Sequence, residues 1–287
     1  MADSFLPAVW REHGIVLGVA CTSELCGAAK DLHQSSPAQM VALSRLLTCA
    51  ALLRFVTPRS GSLSLQIVSR GRIKQVYADI TATGELRGYC RGVATEAVGN
   101  TSDYHLRPAP LLESGTLCVI RSQSTTQFSQ SSVALYGGEV DTDVRHYAEQ
   151  SDQIPTVLSC IEVAPAIYGG FIAQGLPGAN LQVLAALHHI ATPELLRELF
   201  TATPQDPAAI LQGLAPRAEI KPAQRLTWQC RCSQDRARAA AALLSSAELV
   251  QMEEQGETAT INCEFCGRAF HVTPEDLRKL ICNQASS

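Results

Sequence analysis

The sequence is poor in charged and aromatic residues and contains no long apolar run. Charged residues make up 17% of the 287 residues and aromatic residues 5%, whereas hydrophobic residues make up 46%. A chain with this balance can bury a sizeable core, so we expect folded domains rather than disorder. The longest apolar stretches, such as residues 49–53, are far too short to span a bilayer, which argues against a membrane protein.

The sequence also lacks excess positive charge and a recognisable leader segment. Its formal net charge of −4 disfavours a general binder of nucleic acid or anionic membranes, because such binding depends on neutralising phosphates. Residues 1–13 show no basic start followed by an apolar stretch, so we expect no signal peptide and a cytoplasmic location. In a reducing cytosol the eleven cysteines are expected to be thiols.

Common nucleotide-binding and catalytic motifs are missing as well. There is no G-x-x-x-x-G-K-[ST], G-x-G-x-x-G, H-E-x-x-H or G-x-S-x-G, so the sequence predicts neither ATP use nor an enzyme. The carboxylates near a predicted helix are interpreted as a solvated first turn rather than an acid–base pair; they are Asp141, Asp143, Glu149 and Asp152. His188 and His189 are adjacent and not spaced for one helical face, which indicates an ordinary helix surface.

Hydrophobic periodicity predicts an α+β fold with a mixed α/β core domain over residues 1–179 and mainly antiparallel strands. Ser36 and Pro37 predict the N-cap and first turn of one helix, and a shorter helix is expected at Thr142–Gln150. Polar–apolar alternation predicts strands at Ser62–Val68, Ile73–Ile80, Glu85–Cys90 and Gly115–Arg121.

Two further regions follow this core domain. Residues 180–227 are predicted to be a helical linker or hinge, with helices at Asn180–Ile190, Pro193–Phe200 and Pro204–Leu214. Residues 228–287 are predicted to be a small C-terminal zinc-binding domain. It should contain helices at Ser233–Leu244 and from the capping box at Ser245–Glu248 to Glu253, and a strand at Thr258–Asn262.

Four cysteines in this last region carry the strongest chemical signal. Cys230 and Cys232 form a C-x-C pair, and thirty residues later Cys263 and Cys266 form a C-x-x-C pair. Two thiol pairs match the ligand set of tetrahedral zinc, and all-cysteine ligation leaves no position for a catalytic water. Once oxidised, the same atoms could instead form two local disulfides, and four unrelated buried cysteines remain the plain alternative. A domain of about 60 residues rarely folds on apolar burial alone, which favours the metal.

Residues beside these cysteines could tune the site. Ser233 is expected to cap the following helix. Arg231, Arg236 and Arg268 could offset the charge of four thiolates, although solvated surface arginines are an equally good interpretation. Of the remaining cysteines, four lie in apolar segments and are expected in the core: Cys49, Cys90, Cys118 and Cys160. We interpret Cys21 and Cys26 as small hydrophobic or surface residues, with a redox role as the less favoured alternative, and Cys282 as a possible reactive thiol.

The chain resembles the redox-regulated heat-shock protein 33 family, also called the 33 kDa chaperonin, over nearly its whole length. The C-x-C and C-x-x-C pairs are moderately specific alone and highly specific together with the GGF and LPGA stretches. The residues that carry the resemblance are Ser36-Pro37, Ser44–Thr48, Leu63–Val68 with Gly71, Gly84–Tyr89, Gly115–Ile120, Gly138–Val140, Tyr147–Pro155, Gly169–Phe171, Leu176–Ala179, Cys230–Ser233 and Cys263–Gly267.

This resemblance implies an ATP-independent holdase that is nearly inactive when reduced and zinc-bound. It implies that oxidation pairs Cys230 with Cys232 and Cys263 with Cys266, that zinc leaves, and that the tail and hinge unfold. The exposed apolar surface would then bind unfolding client proteins, and the protein would form a homodimer. One departure is the linker, since residues 202–214 are mild and apolar where the family is often dense in charge.

Two other classes of function stay open from the residues alone. One is a zinc-ribbon-like module that binds nucleic acid or a protein, which the negative charge and the lack of a basic-aromatic stripe disfavour. The other is an enzyme with a structural zinc, which would require a cluster of titratable groups that the sequence does not display.

Overall fold

The computed structural model describes residues 2–54, 61–92, 109–123, 127–163 and 166–285. The chain divides into two compact units, Met1–Gln229 and Cys230–Ser287, which we call unit 1 and unit 2. Both helices and sheets are present, so the predicted α+β class is confirmed. Within the described ranges no helix is both long and apolar enough to cross a bilayer.

Unit 1 contains both strands and helices. Its first half consists of β1 (Ser4–Trp10), a 3-10 turn (Arg11–His13), β2 (Ile15–Cys21), α1 (Ser23–His33), α2 (Pro37–Leu53), β3 (Ser62–Ser69), β4 (Ile73–Ile80), β5 (Glu85–Gly92) and α3 (Ala109–Leu112). It continues with β6 (Gly115–Ser122), β7 (Phe128–Ala134), α4 (Val140–Gln150), β8 (Thr156–Val163), β9 (Ile167–Gly175), α5 (Leu181–Ile190), α6 (Pro193–Ala202) and α7 (Pro207–Leu214). Three two-residue strands complete it: β10 (Glu219–Ile220), β11 (Gln224–Arg225) and β12 (Thr227–Trp228).

The strands form two six-stranded sheets. The first, sheet A, has the order β10-β1-β2-β9-β8, with β11 also pairing with β1. The second, sheet B, has the order β12-β5-β4-β3-β6-β7. Every pairing is antiparallel except that of β12 with β5, as expected for strands joined by short turns.

Helix α2 forms the centre of unit 1. The Ser36 hydroxyl accepts the backbone N–H of Gln39, whose side chain accepts the N–H of Ser36 in return, so the predicted N-cap is a complete capping box. From Met40 to Leu53 nearly every side chain of α2 is buried. A helix that is apolar on all sides must be covered on all sides, and α2 belongs to one core cluster with residues of both sheets.

Helices α5, α6 and α7 cover the other face of sheet A. Their buried side chains, including Leu187, Phe200 and Leu211, share a second core cluster with residues of β2, β8 and β9. All seven residues of β2 are buried as a result. Strands buried on both faces need no polar–apolar alternation, which is why the sequence pattern did not reveal β2, β8 and β9. The half-buried strand β1 was not predicted either.

Most predicted elements of unit 1 are present, with small shifts at their ends. Helix α4 starts two residues earlier than predicted, at Val140. The predicted start of the third linker helix at Pro204 was wrong, because the Asp206 carboxylate accepts the N–H groups of Ala208 and Ala209 and starts α7 at Pro207. The division of unit 1 into a core at 1–179 and a linker at 180–227 stays a prediction.

The interpretation of the acidic cluster as solvated was wrong for three of its four members. Asp143 is buried, and its Oδ1 accepts the N–H groups of Tyr136 and Gly137 at 2.6 and 3.0 Å. Asp152 pairs with the guanidinium of Arg121 at 2.6 Å. Asp141 accepts the N–H of Cys160 at 3.1 Å. These carboxylates tie α4 and the loop after it to neighbouring strands.

A largely covered arginine, Arg45, links the same region to α2. The Arg45 guanidinium donates to both carboxylate oxygens of Glu162 at 3.1 and 2.7 Å and to Glu139 at 2.6 Å, and Asp141 lies 3.7 Å away. The hydrogen bonds and charges of these partners outweigh desolvation, so they raise the pKa of Arg45 above its ordinary value. One cation thus holds three carboxylates at the junction of α2, α4 and β8.

Unit 2 is small and contains α8 (Gln234–Ala241), α9 (Ser246–Glu254), β13 (Ala259–Asn262), β14 (Ala269–Val272) and α10 (Pro274–Ala285). The predicted capping box is confirmed. The Ser245 hydroxyl accepts the N–H of Glu248, and the Glu248 carboxylate accepts the N–H of Ser245. Strand β14 and helix α10 were not predicted. Only four apolar residues are fully buried in its described core, namely Ala241, Leu249, Val272 and Leu277.

Candidate metal centre

The structure brings the four predicted cysteines of unit 2 together. The Sγ atoms of Cys230, Cys232, Cys263 and Cys266 all lie within 4.8 Å of one another. Two contacts are shorter, with Cys230 Sγ 3.6 Å from Cys263 Sγ and Cys232 Sγ 3.5 Å from Cys266 Sγ. Within the described ranges this is the one cluster of cysteine, histidine or carboxylate side chains spaced to hold an ion.

The second pair is positioned by a tight turn between β13 and β14. The Cys263 carbonyl accepts the N–H groups of Cys266 at 3.3 Å and Gly267 at 2.7 Å, and the Cys263 N–H donates to the Arg268 carbonyl at 2.9 Å. Gly267 has a φ of +69°, a backbone conformation that favours glycine. This turn brings the side chains of Cys263 and Cys266 to the same side, within the four-cysteine cluster.

The first pair is positioned by the chain entering α8. Cys230 and Cys232 lie between β12 and α8, in a stretch that belongs to no helix or strand. The Ser233 hydroxyl accepts the N–H of Arg236, which confirms Ser233 as the N-cap of α8. The suggested role of Arg231, Arg236 and Arg268 in offsetting thiolate charge stays a prediction.

The sulfur spacing fits a tetrahedral metal ion. Four sulfurs each about 2.3 Å from a central Zn²⁺ would lie about 3.8 Å from one another. The short contacts of 3.5 and 3.6 Å are close to that value and far longer than the roughly 2.05 Å of a disulfide. The four thiols therefore form a cluster that could hold a metal ion, and their role as its ligands stays a prediction.

The electrostatics of the cluster without an ion oppose thiolate formation. Burial, followed by hydrogen bonds from the neighbouring thiols, raises the pKa of Cys232 to about 12. Thiols crowded together in this way disfavour a negative charge on any one of them, and a bound divalent cation reverses that preference.

The other seven cysteines lie outside this cluster. Cys49 and Cys160 are buried, as predicted, and their Sγ atoms are 3.6 Å apart between α2 and β8, a contact that was not predicted. Cys21 and Cys26 are buried, which agrees with their interpretation as small hydrophobic residues. Cys90 and Cys118 are only partly buried, so the core prediction was too strong for them, and Cys282 is exposed.

The fold and the site define a two-unit protein with a four-cysteine cluster in its smaller unit, and comparison with known proteins gives its family. The family described as "Hsp33 protein" matches residues 3–273. This chain belongs to the Hsp33 family, which is a chaperone family.

Similar proteins cover nearly the whole chain. A protein named 33 kDa chaperonin from Acaryochloris marina is 28% identical over 98% of this chain and 97% of its own length. One of the same name from Thermodesulfovibrio yellowstonii is 26% identical over 94% of this chain and 96% of its own. These names are those of chaperones and not of enzymes.

A solved structure shares the fold. The 33 kDa chaperonin (heat shock protein 33 homolog) of Thermotoga maritima superimposes with a TM-score of 0.84 over 100% of both chains at 21% identity. The overall fold of this chain is therefore shared with that protein.

Proposed function

We propose that this protein is a redox-regulated, ATP-independent holdase chaperone of the cytoplasm. While reduced, it is inactive and its four cysteine thiolates bind one zinc ion. Oxidants convert these cysteines to two disulfides, the zinc is lost, and the protein then binds unfolding proteins. The observation that carries the proposal is the cluster of Cys230, Cys232, Cys263 and Cys266, with all sulfurs within 4.8 Å, in a chain of the Hsp33 family.

The small core of unit 2 explains why ligation would control its folding. Four fully buried apolar side chains supply little hydrophobic stabilisation for a unit of this size. A structural zinc ion bound to four thiolates contributes roughly 10–16 kcal/mol of apparent binding free energy at neutral pH. That contribution exceeds what the core supplies, so unit 2 folds when the cysteines can act as ligands and unfolds when they cannot.

The oxidation step is balanced by a two-electron oxidant such as hydrogen peroxide. In each pair, one thiolate attacks peroxide to give a sulfenic acid and hydroxide, and the second thiolate displaces hydroxide from the sulfenic acid to form the S–S bond. Each disulfide thus consumes one peroxide, which is reduced to two waters after protonation. Two peroxides oxidise all four cysteines, and disulfide sulfurs no longer bind zinc as thiolates do.

We propose the local pairing, Cys230 with Cys232 and Cys263 with Cys266. Local disulfides close loops of a few residues, so they leave the two halves of the cluster free to separate. Pairing across the halves would instead join residues 33 or 34 apart and would keep unit 2 closed. Only the local pairing couples oxidation to unfolding of the unit.

Unfolding of unit 2 acts on unit 1 through the covalent connection between Gln229 and Cys230. Helices α5–α7 cover the apolar outer face of sheet A, where residues such as Leu17, Phe171 and Ala173 are buried. We propose that these helices loosen when the tail unfolds, and that the exposed apolar surface binds clients and supports a homodimer. Binding through apolar surface needs neither ATP, nucleic acid nor a membrane.

The proposal is tested by treating the zinc-loaded protein with hydrogen peroxide at elevated temperature. Zinc release is followed with a chromogenic chelator, and holdase activity is followed as light scattering of thermally unfolding citrate synthase. We expect the two to rise together and to reverse when the protein is reduced in the presence of zinc. Strong holdase activity of the reduced, zinc-loaded protein would contradict the proposal, as would full zinc release without gain of activity.

A further inference from the structure

One short segment closes an edge of both sheets of unit 1. We call residues 219–228 the edge segment. Its first part, β10 and β11, lies along the outer edge of β1 in sheet A, and its last part, β12, lies along the outer edge of β5 in sheet B. The segment ends two residues before Cys230, the first cysteine of the candidate metal centre.

The edge segment is held mainly by its backbone. The N–H of Lys221 donates to the Pro7 carbonyl at 2.8 Å, and the N–H of Leu226 donates to the Asp3 carbonyl at 2.9 Å. On sheet B, the N–H of Thr227 donates to the Gly84 carbonyl at 3.0 Å, and that of Gln229 donates to the Leu86 carbonyl at 2.8 Å. Such bonds recognise an extended chain of almost any sequence.

Few side chains of the segment are buried. Every residue of β10 and β11 is exposed. Leu226 is the one deep anchor, at 3% exposure in the core cluster that contains α2, and Trp228 packs against that cluster partly buried. A segment with exposed hydrogen bonds and one apolar anchor belongs to the least stable part of a fold, so it is readily released.

We propose that the outer edge of β1 is a client-binding edge, kept closed by the edge segment in the reduced protein. Its occupant in the active protein is an extended stretch of an unfolded polypeptide, which adds to β1 as a strand in place of β10 and β11. This inference rests on the proposed holdase function and adds the mode of recognition. The present occupant, an extended part of this same chain, shows the chemistry that the edge accepts.

A proline in β1 limits strand pairing at its outer edge. Pro7 has no N–H, so at that position the edge offers only a carbonyl to a partner strand. Proline is found at sheet edges, where it limits unwanted pairing between strands. Exposure of the β1 edge therefore depends on release of the edge segment, and a backbone-bound client need not share a sequence motif.

The test uses two synthetic peptides that copy residues 217–228 and carry a fluorophore. The second peptide is N-methylated at the positions of Lys221 and Leu226, so it keeps every side chain but lacks the two N–H groups that donate to Pro7 of β1 and to Asp3 just before it. Binding is measured by fluorescence anisotropy on three full-length proteins: the reduced zinc-loaded chain, the oxidised chain and a reduced Leu226→Asp variant. A Leu243→Asp variant, changed at an exposed position of unit 2, is the control.

We expect the plain peptide to bind the oxidised chain and Leu226→Asp, and to bind neither the reduced chain nor Leu243→Asp. N-methylation should weaken binding at least about tenfold, because two backbone hydrogen bonds are lost. The plain peptide should also compete with citrate synthase for the oxidised chain.

Equal binding of the two peptides would overturn the proposal, because recognition would then lie in side chains. So would absence of peptide binding to an oxidised chain that still suppresses aggregation, an outcome that leaves the holdase function standing. If the oxidised chain suppresses no aggregation, the proposed function fails, and the reduced Leu226→Asp variant still decides whether the edge accepts a strand.

Discussion

The Phe200 ring of α6 lies directly against Gly169 of β9. A Cβ atom at Gly169 would come within 2.2 Å of Phe200 Cε1, a distance that no side chain can occupy. The neighbouring Gly170 faces the opposite side, where a Cβ would meet the side chains of Leu52 and Thr48 of α2 at 3.1 Å. The two glycines of the GGF stretch therefore admit close packing on both faces of sheet A, one toward the linker helices and one toward the central helix.

We predict that Gly169→Ala loosens α6 and raises holdase activity in reductant. The methyl group must displace Phe200, and overpacking of this kind costs about 1–3 kcal/mol. Hydrogen exchange should become faster in α6 and α7, and the oxidant needed for activation should fall. Gly27→Ala is the control, since a Cβ there meets nothing within 4 Å. Identical exchange in the two variants would show that the Phe200–Gly169 contact does not hold the linker helices.

We predict that Cys263→Ser lowers zinc affinity and unfolds unit 2 even in reductant. A serine hydroxyl is a poor substitute for a thiolate ligand, and the few buried side chains of this unit cannot replace the lost stabilisation. Zinc content after dialysis and protease cleavage within residues 230–285 are the measurements. Cys282→Ser, at an exposed cysteine outside the cluster, should keep both properties of the parent chain. Stoichiometric zinc in Cys263→Ser would contradict the ligand assignment.

We predict that mass-spectrometric mapping of the oxidised protein finds Cys230–Cys232 and Cys263–Cys266 disulfides. Distance alone does not single out this pairing in the reduced structure, because close sulfur contacts also join Cys230 to Cys263 at 3.6 Å and Cys232 to Cys266 at 3.5 Å. The local pairs are expected because only they let the cluster open. Protein with the crossed pairs should stay compact and inactive, so their predominance in the active form would contradict the mechanism.

We predict a wide spread of thiol reactivity in the zinc-stripped, reduced protein. Cys282 is exposed and should be alkylated first. The cysteines of the cluster should follow as unit 2 unfolds without its ion. Burial raises the pKa of Cys21 to about 12, and it raises that of Cys26 and Cys160 well above the ordinary range. Thiolate is therefore scarce at these three positions, and they should react only when unit 1 opens. Time-resolved alkylation with peptide mapping tests this order of reaction. Early labelling of Cys160 in the folded protein would contradict it.

We predict that Asp3 makes unit 1 less stable as the pH rises from about 4 to above 6. Its carboxylate is 1% exposed and caps α1 by accepting the N–H groups of Glu24 and Leu25 at 3.1 and 2.7 Å. Burial raises the pKa of Asp3 to about 6 from 3.8, so the folded state binds the proton more tightly than the unfolded state does. The stabilisation is complete below the unfolded pKa and is lost as the pH rises through the folded one, by at most about 3 kcal/mol.

Asp3→Asn should remove this dependence because asparagine does not titrate, although its one amide oxygen keeps only one of the two hydrogen bonds to α1. Urea unfolding followed by the fluorescence of Trp10 and Trp228, both in unit 1, gives the free energy of unfolding. The advantage of the variant over the parent should grow between pH 4 and 7. Asp31→Asn, at an exposed carboxylate on the same helix, is the control. A constant difference across this range would contradict the role of Asp3.

Short sequence patterns were enough to predict the cysteine cluster of the tail and the N-caps of several helices. Spacing was enough to select the four candidate ligands, because the cysteines of a metal-binding pair are separated by only a few residues. They are Cys230, Cys232, Cys263 and Cys266. Caps at Ser36, Ser233 and Ser245 were predictable for the same reason, since a cap and its N–H partner are three residues apart.

The way distant parts of the chain meet could not be predicted from local patterns. Strands β2, β8 and β9 of sheet A are buried on both faces over most of their length, so their sequence shows neither their number nor their partners. The ion pairs of Arg45, the contact of Cys49 with Cys160, the fit of Phe200 on Gly169 and the closing of the β1 edge all join residues far apart in the chain. Local sequence patterns do not predict such contacts, because they form only when the sheets and helices have assembled around α2.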